Sequence, residues 1–275
     1  MLSGYGLHTG VFSEVRLHRT EGAVRFLRNG TEIPALLESV IATPRCTVLG
    51  KDNEKIALVE HLLAALHITG WWEGVLIEVS SEEIPILDGS AQGWLEEVRS
   101  LGNPPALGSH LEVVKGFGVQ GAGFGVLTEP RTPNPEPHLF VEPGATKLSV
   151  SVDYDHPAIG NQTWEGTPET YSELLSARTF GFLKEYEMLR KQGLASHVSL
   201  ENAIVFDENG TLSPLRFNNE PVRHKALDVL GDFFLLRKPL LGSLSVARGS
   251  HHAHVTFMRE LLANDILQEV EPYEL

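Results

Sequence analysis

His224, Asp228 and Asp232 stand at intervals of four in the run Glu220-Pro221-Val222-Arg223-His224-Lys225-Ala226-Leu227-Asp228-Val229-Leu230-Gly231-Asp232. On a helix that spacing lines all three along one face, one turn apart. An imidazole and a carboxylate one turn apart can ligate a single divalent metal, with two positions left to be filled from elsewhere. A second imidazole, His61, lies in Leu58-Val59-Glu60-His61-Leu62-Leu63, inside another helical pattern and directly beside the carboxylate of Glu60. Two His, one Asp and a free Glu are the inventory of a hydrolytic zinc site with an open water position.

Each of these residues also has a plainer reading. His61 alone fits a buried histidine on an amphipathic helix, with Glu60 a solvated charge. His224 and Asp228 alone fit an i, i+4 polar pair on an exposed helix. Against that, Val222, Ala226, Leu227, Val229 and Leu230 make most of this helix apolar, which buries it. Buried polar groups need partners, and a metal supplies one. The run Arg248-Gly249-Ser250-His251-His252-Ala253-His254 crowds imidazoles into a short stretch, as a polar or metal-scavenging loop would. Thr179 reads most simply as a strand residue, Cys46 as a small buried hydrophobe, and Asp88-Gly89-Ser90 as a turn.

The elements that must carry these groups fall into two halves of similar outline. In the first, short strands near Val24–Phe26 and Val40–Leu49 lead to a helix over Leu58–Ile68, a strand at Val75–Val79 and a helix over Ala91–Leu101. In the second, strands are expected at Leu148–Tyr154, Thr179–Phe182, Ala203–Phe206 and Gly242–Val246. Helices are expected at Leu183–Gln192, Pro221–Leu236 (Pro near its first turn) and Ala253–Ala263. Residues from His110 to Val126 alternate with many Val and Gly and predict a β-hairpin. The Pro-rich run at 129–137 predicts a linker, dividing the chain into domains at 1–128 and 129–275. The fold class is α+β: two similar sheet-plus-two-helix units, each a two-layer stack, with the metal site between them.

Composition bounds the partners. The 275 residues carry a formal net charge of −14, with 42% apolar and 21% charged residues. That is an ordinary soluble composition, and its acidity argues against nucleic acid or an anionic membrane as partner. A single cysteine excludes an internal disulfide framework and suits a reducing cytosol. No stretch approaches the roughly 20 apolar residues that span a bilayer. A basic segment followed by an apolar run is missing at the N-terminus, so no signal peptide is expected.

Six motifs, taken in order, carry a resemblance. They are Ser3-Gly4-Tyr5-Gly6-Leu7-His8-Thr9-Gly10, Val59-Glu60-His61-Leu62, Glu83-Ile84-Pro85-Ile86-Leu87-Asp88-Gly89-Ser90, Asp155-His156-Pro157-Ala158-Ile159, Ala177-Arg178-Thr179-Phe180-Gly181-Phe182, and Val222-Arg223-His224-Lys225 with Asp228. Together they resemble the signatures of the UDP-3-O-acyl-N-acetylglucosamine deacetylase family, LpxC, the zinc amidase of lipid A synthesis. The resemblance runs from Ser3 to the helix around Arg259 and implies two βααβ-type domains with zinc between them. It implies Zn2+ ligands His61, His224 and Asp228, and Glu60 as general base with a pKa raised by desolvation. It frames His251 as general acid and Asp232 as the carboxylate orienting it. Thr179 would donate to the developing oxyanion, and Lys225 would stabilise negative charge near the reaction centre. Arg248 would contact phosphate, Phe180, His197 and Val198 would meet substrate, and Cys46 could bind an inhibitory second metal. His8 and His156 are structural or substrate-proximal.

The implied reaction is removal of acetate from the 2-acetamido group of a UDP-linked, 3-O-acylated glucosamine in the cytoplasm. The implied partner is that small molecule alone; the sequence does not fix the oligomeric state, and a monomer is marginally favoured. Four departures matter. Leu58 stands where the family has threonine, and Ala195-Ser196-His197-Val198-Ser199 replaces a small, glycine-rich segment lining an acyl passage. His252 and His254 stand where the family usually has neither, which leaves the choice of His251 open. The first strand starts late, so a shortened edge strand is expected. Two rival readings stay open. One is the same zinc chemistry on an N-acetyl sugar lacking a long acyl chain. The other is a sugar-nucleotide binding protein without catalysis.

Overall fold

A computed structural model describes residues 1–121, 125–127, 137–191 and 195–271 and shows a mixed α+β fold. A five-stranded sheet is built from the strands Leu2–Tyr5, Phe12–Ala23, Glu73–Val79, Arg25–Arg28 and Thr31–Pro34, in that spatial order. A six-stranded sheet runs Gly125–Leu127, Phe117–Gln120, His138–Glu142, Ser243–Ala247, Lys147–Tyr154, Gly160–Gly166. Period-two patterning drives both, because alternate side chains face one side. Val75, Ile77 and Val79 are buried in the first sheet, and Leu148, Val150 and Val152 in the second.

Five α-helices are described: α1 (Glu60–Thr69), α2 (Gln92–Arg99), α3 (Leu183–Lys191), α4 (Glu220–Phe233) and α5 (His251–Ala263). α1 packs on α2 and α4, and α4 on α5 and on the strands Lys147–Tyr154 and Gly160–Gly166. One continuous apolar core joins these helices to both sheets. α1 is buried from Glu60 to Leu66, and α4 is buried at most positions, as helices apolar on nearly every side must be.

The two central helices cross at Gly231. A Cβ at this position would lie 2.1 Å from the carbonyl oxygen of Glu60 and 2.8 Å from its carbonyl carbon. Glycine in mid-helix costs about 1 kcal/mol of helix propensity, and here it permits a backbone approach that no other residue allows. That approach sets the first turn of α1 against the Asp228–Asp232 turn of α4. A left-handed residue completes the placement. Leu58, buried with φ +65, turns the chain from the strand Glu54–Ala57 into α1 within two residues.

Several expectations need correction. The strand expected over Val40–Leu49 is two, Val40–Ala42 and Val48–Lys51, which pair with each other, and Val48–Lys51 also pairs with Glu54–Ala57. Pro44 supplies no ladder donor and Arg45 takes φ +67, so a loop at 43–47 intervenes. The hairpin expected over His110–Val126 is confined to Phe117–Gln120 and Gly125–Leu127. His110–Val113 instead pairs with Leu240–Leu241 and Leu267–Val270. The turn at 114–116 redirects it, so its alternation serves a different sheet. Both strands therefore join partners from the second half of the chain. The Pro-rich run and the boundary expected at 128/129 fall largely outside the described residues. The edge strand Leu2–Tyr5 is four residues long. α5 starts at His251, earlier than expected, because the Ser250 side chain accepts from Ala253 N and caps it.

Replacing Gly231 with Ala should force α1 and α4 apart and cost about 1–3 kcal/mol. Denaturant unfolding measures this. A variant as stable as the parent would show the close crossing to be dispensable.

Candidate metal centre and acid–base pair

His61 enters from the first turn of α1, and His224 and Asp228 from successive turns of α4. Asp228 Oδ1 lies 3.3 Å from His224 Nε2 and 3.9 Å from His61 Nε2, and the two rings are 5.0 Å apart. All three residues are buried. His224 Nδ1 lies 3.2 Å from the carbonyl oxygen of Ala177, which can only accept, so Nδ1 carries the proton and Nε2 a lone pair. Burial, and after it the neighbouring His224, holds His61 down to about pKa 3, and burial also lowers His224. Both imidazoles are therefore neutral, the form that ligates. Burial works against ionisation of Asp228, yet His224 and Lys225 outweigh it and its pKa is lowered.

An imidazole lone pair and an ionised oxygen thus face each other in a buried interface. Asp228 Oδ1 accepts no hydrogen bond among the described residues, while Oδ2 is taken by Lys225 Nζ at 3.1 Å. Ligands about 2.0–2.1 Å from a tetrahedral ion sit roughly 3.3 Å from each other. The three donors fit a divalent metal by type, protonation and spacing.

Beside this cluster lie two proton-handling groups. Glu60 Oε1 is 3.7 Å from His251 Nε2. Burial, opposed by His251, raises the Glu60 pKa to about 7. Burial alone would lower His251, but Asp232 and Glu60 prevail and raise it to about 10. Asp232, wholly buried and held ionised mainly by His251, reaches the ring at Oδ2···Nδ1 2.7 Å.

Thr47, which the sequence reading did not single out, ties the pair together. Its backbone N donates to Glu60 Oε2 at 3.0 Å and its hydroxyl to Asp232 Oδ1 at 2.5 Å. Its signal in the sequence is only its place beside Cys46, since neither partner is near in sequence.

A cleft of about 200 Å³ opens over these groups, lined also by Thr179, Phe180, Lys225 and His8. Thr179 is held by its N–H to Gly89 O at 2.7 Å, and its carbonyl accepts from Ile204 N at 2.8 Å. Gly89 has φ +88, and a Cβ there would strike Asn202 O, so the Asp88-Gly89-Ser90 turn also buttresses Thr179. Lys225 sits 5.9 Å above the Phe180 ring, and Asp228 and Tyr154 keep it protonated against the pull of burial. Leu7, Tyr186 and Leu189 also line the cleft, and the sequence reading missed all three.

Other expected residues lie further out. Arg248 occupies a left-handed turn and pairs with Asp153. His197 stacks on Tyr5 at 4.6 Å, its N–H donating to Leu7 O at 3.4 Å, while Val198 joins the core. Cys46 is buried, and burial with Glu60 pushes its thiol well above its ordinary pKa. His156 has both nitrogens engaged, with Asp207 O and Ala158 N, as a structural residue would.

Residues 1–263 match the family model described as UDP-3-O-acyl N-acetylglycosamine deacetylase, LpxC. A Thermosynechococcus vestitus protein named UDP-3-O-acyl-N-acetylglucosamine deacetylase is 38% identical, over 94% of this chain and 90% of that protein. Proteins of the same name from Wolinella succinogenes and Helicobacter hepaticus are 37% and 36% identical, over 99% and 100% of this chain and 89% of each relative.

Elemental analysis of the purified protein should find one divalent ion per chain, and His224→Ala should lose ion and activity together. Full occupancy in that variant would remove His224 from the ligand set.

Proposed function

Because this chain belongs to the UDP-3-O-acyl-N-acetylglucosamine deacetylase (LpxC) family, we propose that it hydrolyses the N-acetyl group of UDP-3-O-acyl-N-acetylglucosamine. The products are UDP-3-O-acyl-glucosamine and acetate, in lipid A biosynthesis. The observation that carries this reading is the buried Glu60–His251 pair, 3.7 Å apart, beside a His–His–Asp cluster. We take the ion to be zinc, held by His61, His224 and Asp228, where it would supply Lewis acidity to the amide oxygen and to water.

The chain's own groups divide the proton work. Glu60 removes a proton from the attacking water through Oε1, because Oε2 is occupied by Thr47 N. The Thr179 hydroxyl, on the cleft wall, donates to the developing oxyanion, and the Lys225 ammonium adds positive charge. His251 Nε2 delivers its proton to the departing nitrogen, with Asp232 fixing the ring through Nδ1. Without that transfer the amine is a poor leaving group.

Phe180 contacts the sugar, and Arg248 contacts phosphate once drawn from Asp153. Cys46 would take an inhibitory second metal as its thiolate, a form that burial and the charge of Glu60 oppose. We place the reaction in the cytoplasm, with the chain acting as a monomer of two α+β units; the strands from His110 to Gln120 belong with the second unit, whose strands they pair with. No helix among the described residues is long and apolar enough to cross a membrane.

A second reading, deacetylation of an N-acetyl sugar with a short acyl chain or none, is favoured by the segment 195–198. Ser196 and His197 donate to the backbone of His8 and Leu7, residues of the cleft wall. An alkyl chain that would have to pass this clamp forfeits about 0.8 kcal/mol for each CH₂ it cannot bury.

Glu60→Gln should cut kcat by roughly 10²–10⁴ with the metal still bound. The parent's pH profile should be a bell. Activity rises as Glu60 ionises, near pH 7, and falls as His251 loses its proton, near pH 10. A bound dication moves both limbs to lower pH, since it favours the carboxylate and disfavours the imidazolium. Parental kcat in Glu60→Gln would transfer the base role elsewhere, with His251 first in line.

Turnover of short-chain substrates should exceed that of long-chain ones, and His197→Gly, which leaves the buried Val198 in place, should raise turnover of the long ones. Equal turnover of both by the unaltered protein would show the clamp to leave the route open.

A further inference from the structure

Asp232 receives more donors than the orientation of one histidine requires. Its Oδ1 accepts from Thr47 Oγ1 at 2.5 Å, and its Oδ2 lies 2.7 Å from Nδ1 of His251 and also 2.7 Å from Nδ1 of His254. An ionised carboxylate oxygen offers only lone pairs, so both imidazoles present an Nδ1–H to it. His251 and His254 are three residues apart in the capped first turn of α5, so both rings hang from one helix face over α4.

The position of the second ring depends on its neighbour. A Cβ at Gly249 would lie 2.5 Å from His254 Nε2, so a side chain at 249 would press the ring away from Asp232. His254 is 1% exposed and does not line the cleft, so substrate does not reach it. Its Nε2 has no hydrogen-bond partner among the described residues, so the ring's one polar anchor is Asp232.

We propose that His254 is a positioning residue, which fixes the Asp232 carboxylate from its second side and shares Oδ2 with His251. A carboxylate held by Thr47, His251 and His254 cannot swing about its side-chain bond without breaking a buried hydrogen bond. His251 therefore keeps one orientation, with Nε2 towards Glu60 and the cleft. Division of Oδ2 between two donors also leaves His251 a less tightly held proton. The proposal rests on the reading of His251 as proton donor.

Two nearly isosteric replacements test it in the full, metal-loaded chain. In His254→Asn the amide N–H stands near the place of Nδ1–H, while His254→Leu has similar shape and no donor. The cavity left by the lost ring is common to both, so their difference reports the hydrogen bond. The leucine variant should lose about ten- to a hundredfold in kcat, with KM for the acylated UDP-sugar and metal content as in the parent. The asparagine variant should recover most of the loss.

Histidine-selective ¹⁵N labelling should show two strongly downfield Nδ1–H protons in the parent, both displaced in Asp232→Asn. One should remain in each His254 variant, shifted further downfield in the leucine variant. Parental kcat in the leucine variant would overturn the proposal, as would equal slowing of both variants at equal melting temperature. A second metal ion lost in both variants would make Asp232, His251 and His254 a metal site instead. If the parent hydrolyses no acetamido sugar, the function fails, yet the two resonances still decide the contact.

Discussion

Removal of charge from water between α1, α4 and α5 is the constraint on which the site depends. Glu60, Asp228 and Asp232 are all buried, and their desolvation opposes the ionised state in each. Ions so placed survive only with partners of opposite sign or firm hydrogen bonds. The three carboxylates find different solutions. Asp232 has His251, His254 and Thr47. Asp228 has Lys225 on one oxygen and two neutral imidazoles beside the other. Glu60 has the weakest set and ends near neutrality, where a group can take up and release protons with little cost. One helix interface therefore yields a metal-binding carboxylate, an orienting carboxylate and a base.

The close crossing at Gly231 makes this division geometric. With Glu60 O only 2.1 Å from where a Cβ would stand, the α1 backbone is held against the α4 turn between Asp228 and Asp232. Helix packing at ordinary distances, 8–10 Å between axes, would leave more room between His61 and Asp228. The sheets supply the apolar walls, and Leu58 supplies the sharp entry.

The local parts of this arrangement were legible in the sequence. The spacing of His224, Asp228 and Asp232 shows one helix face, and the apolar residues around them show that the face is buried. Glu60 beside His61 is likewise a local signal. Links across the chain were not legible. Thr47 is 185 residues from Asp232, and no periodicity joins them. His254 differs from His251 and His252 only by a helix register that starts at His251 rather than at Ala253. The strand over Val40–Leu49 failed at Pro44 and Arg45, where a loop was needed to deliver Thr47. His110–Val113 alternates as a hairpin strand should, but alternation does not name a partner.

Thr47 also has a kinematic consequence. Its backbone N and its hydroxyl belong to one residue, and they hold the carboxylates of Glu60 and Asp232 respectively. One residue of the 43–47 loop thus bridges a carboxylate of α1 to a carboxylate of α4. Asp232 in turn holds His251, so base and acid share a common support. Neither Glu60 nor Asp232 can then turn its carboxylate without breaking a bond to that one residue, which ties the orientation of the base to that of the acid's support.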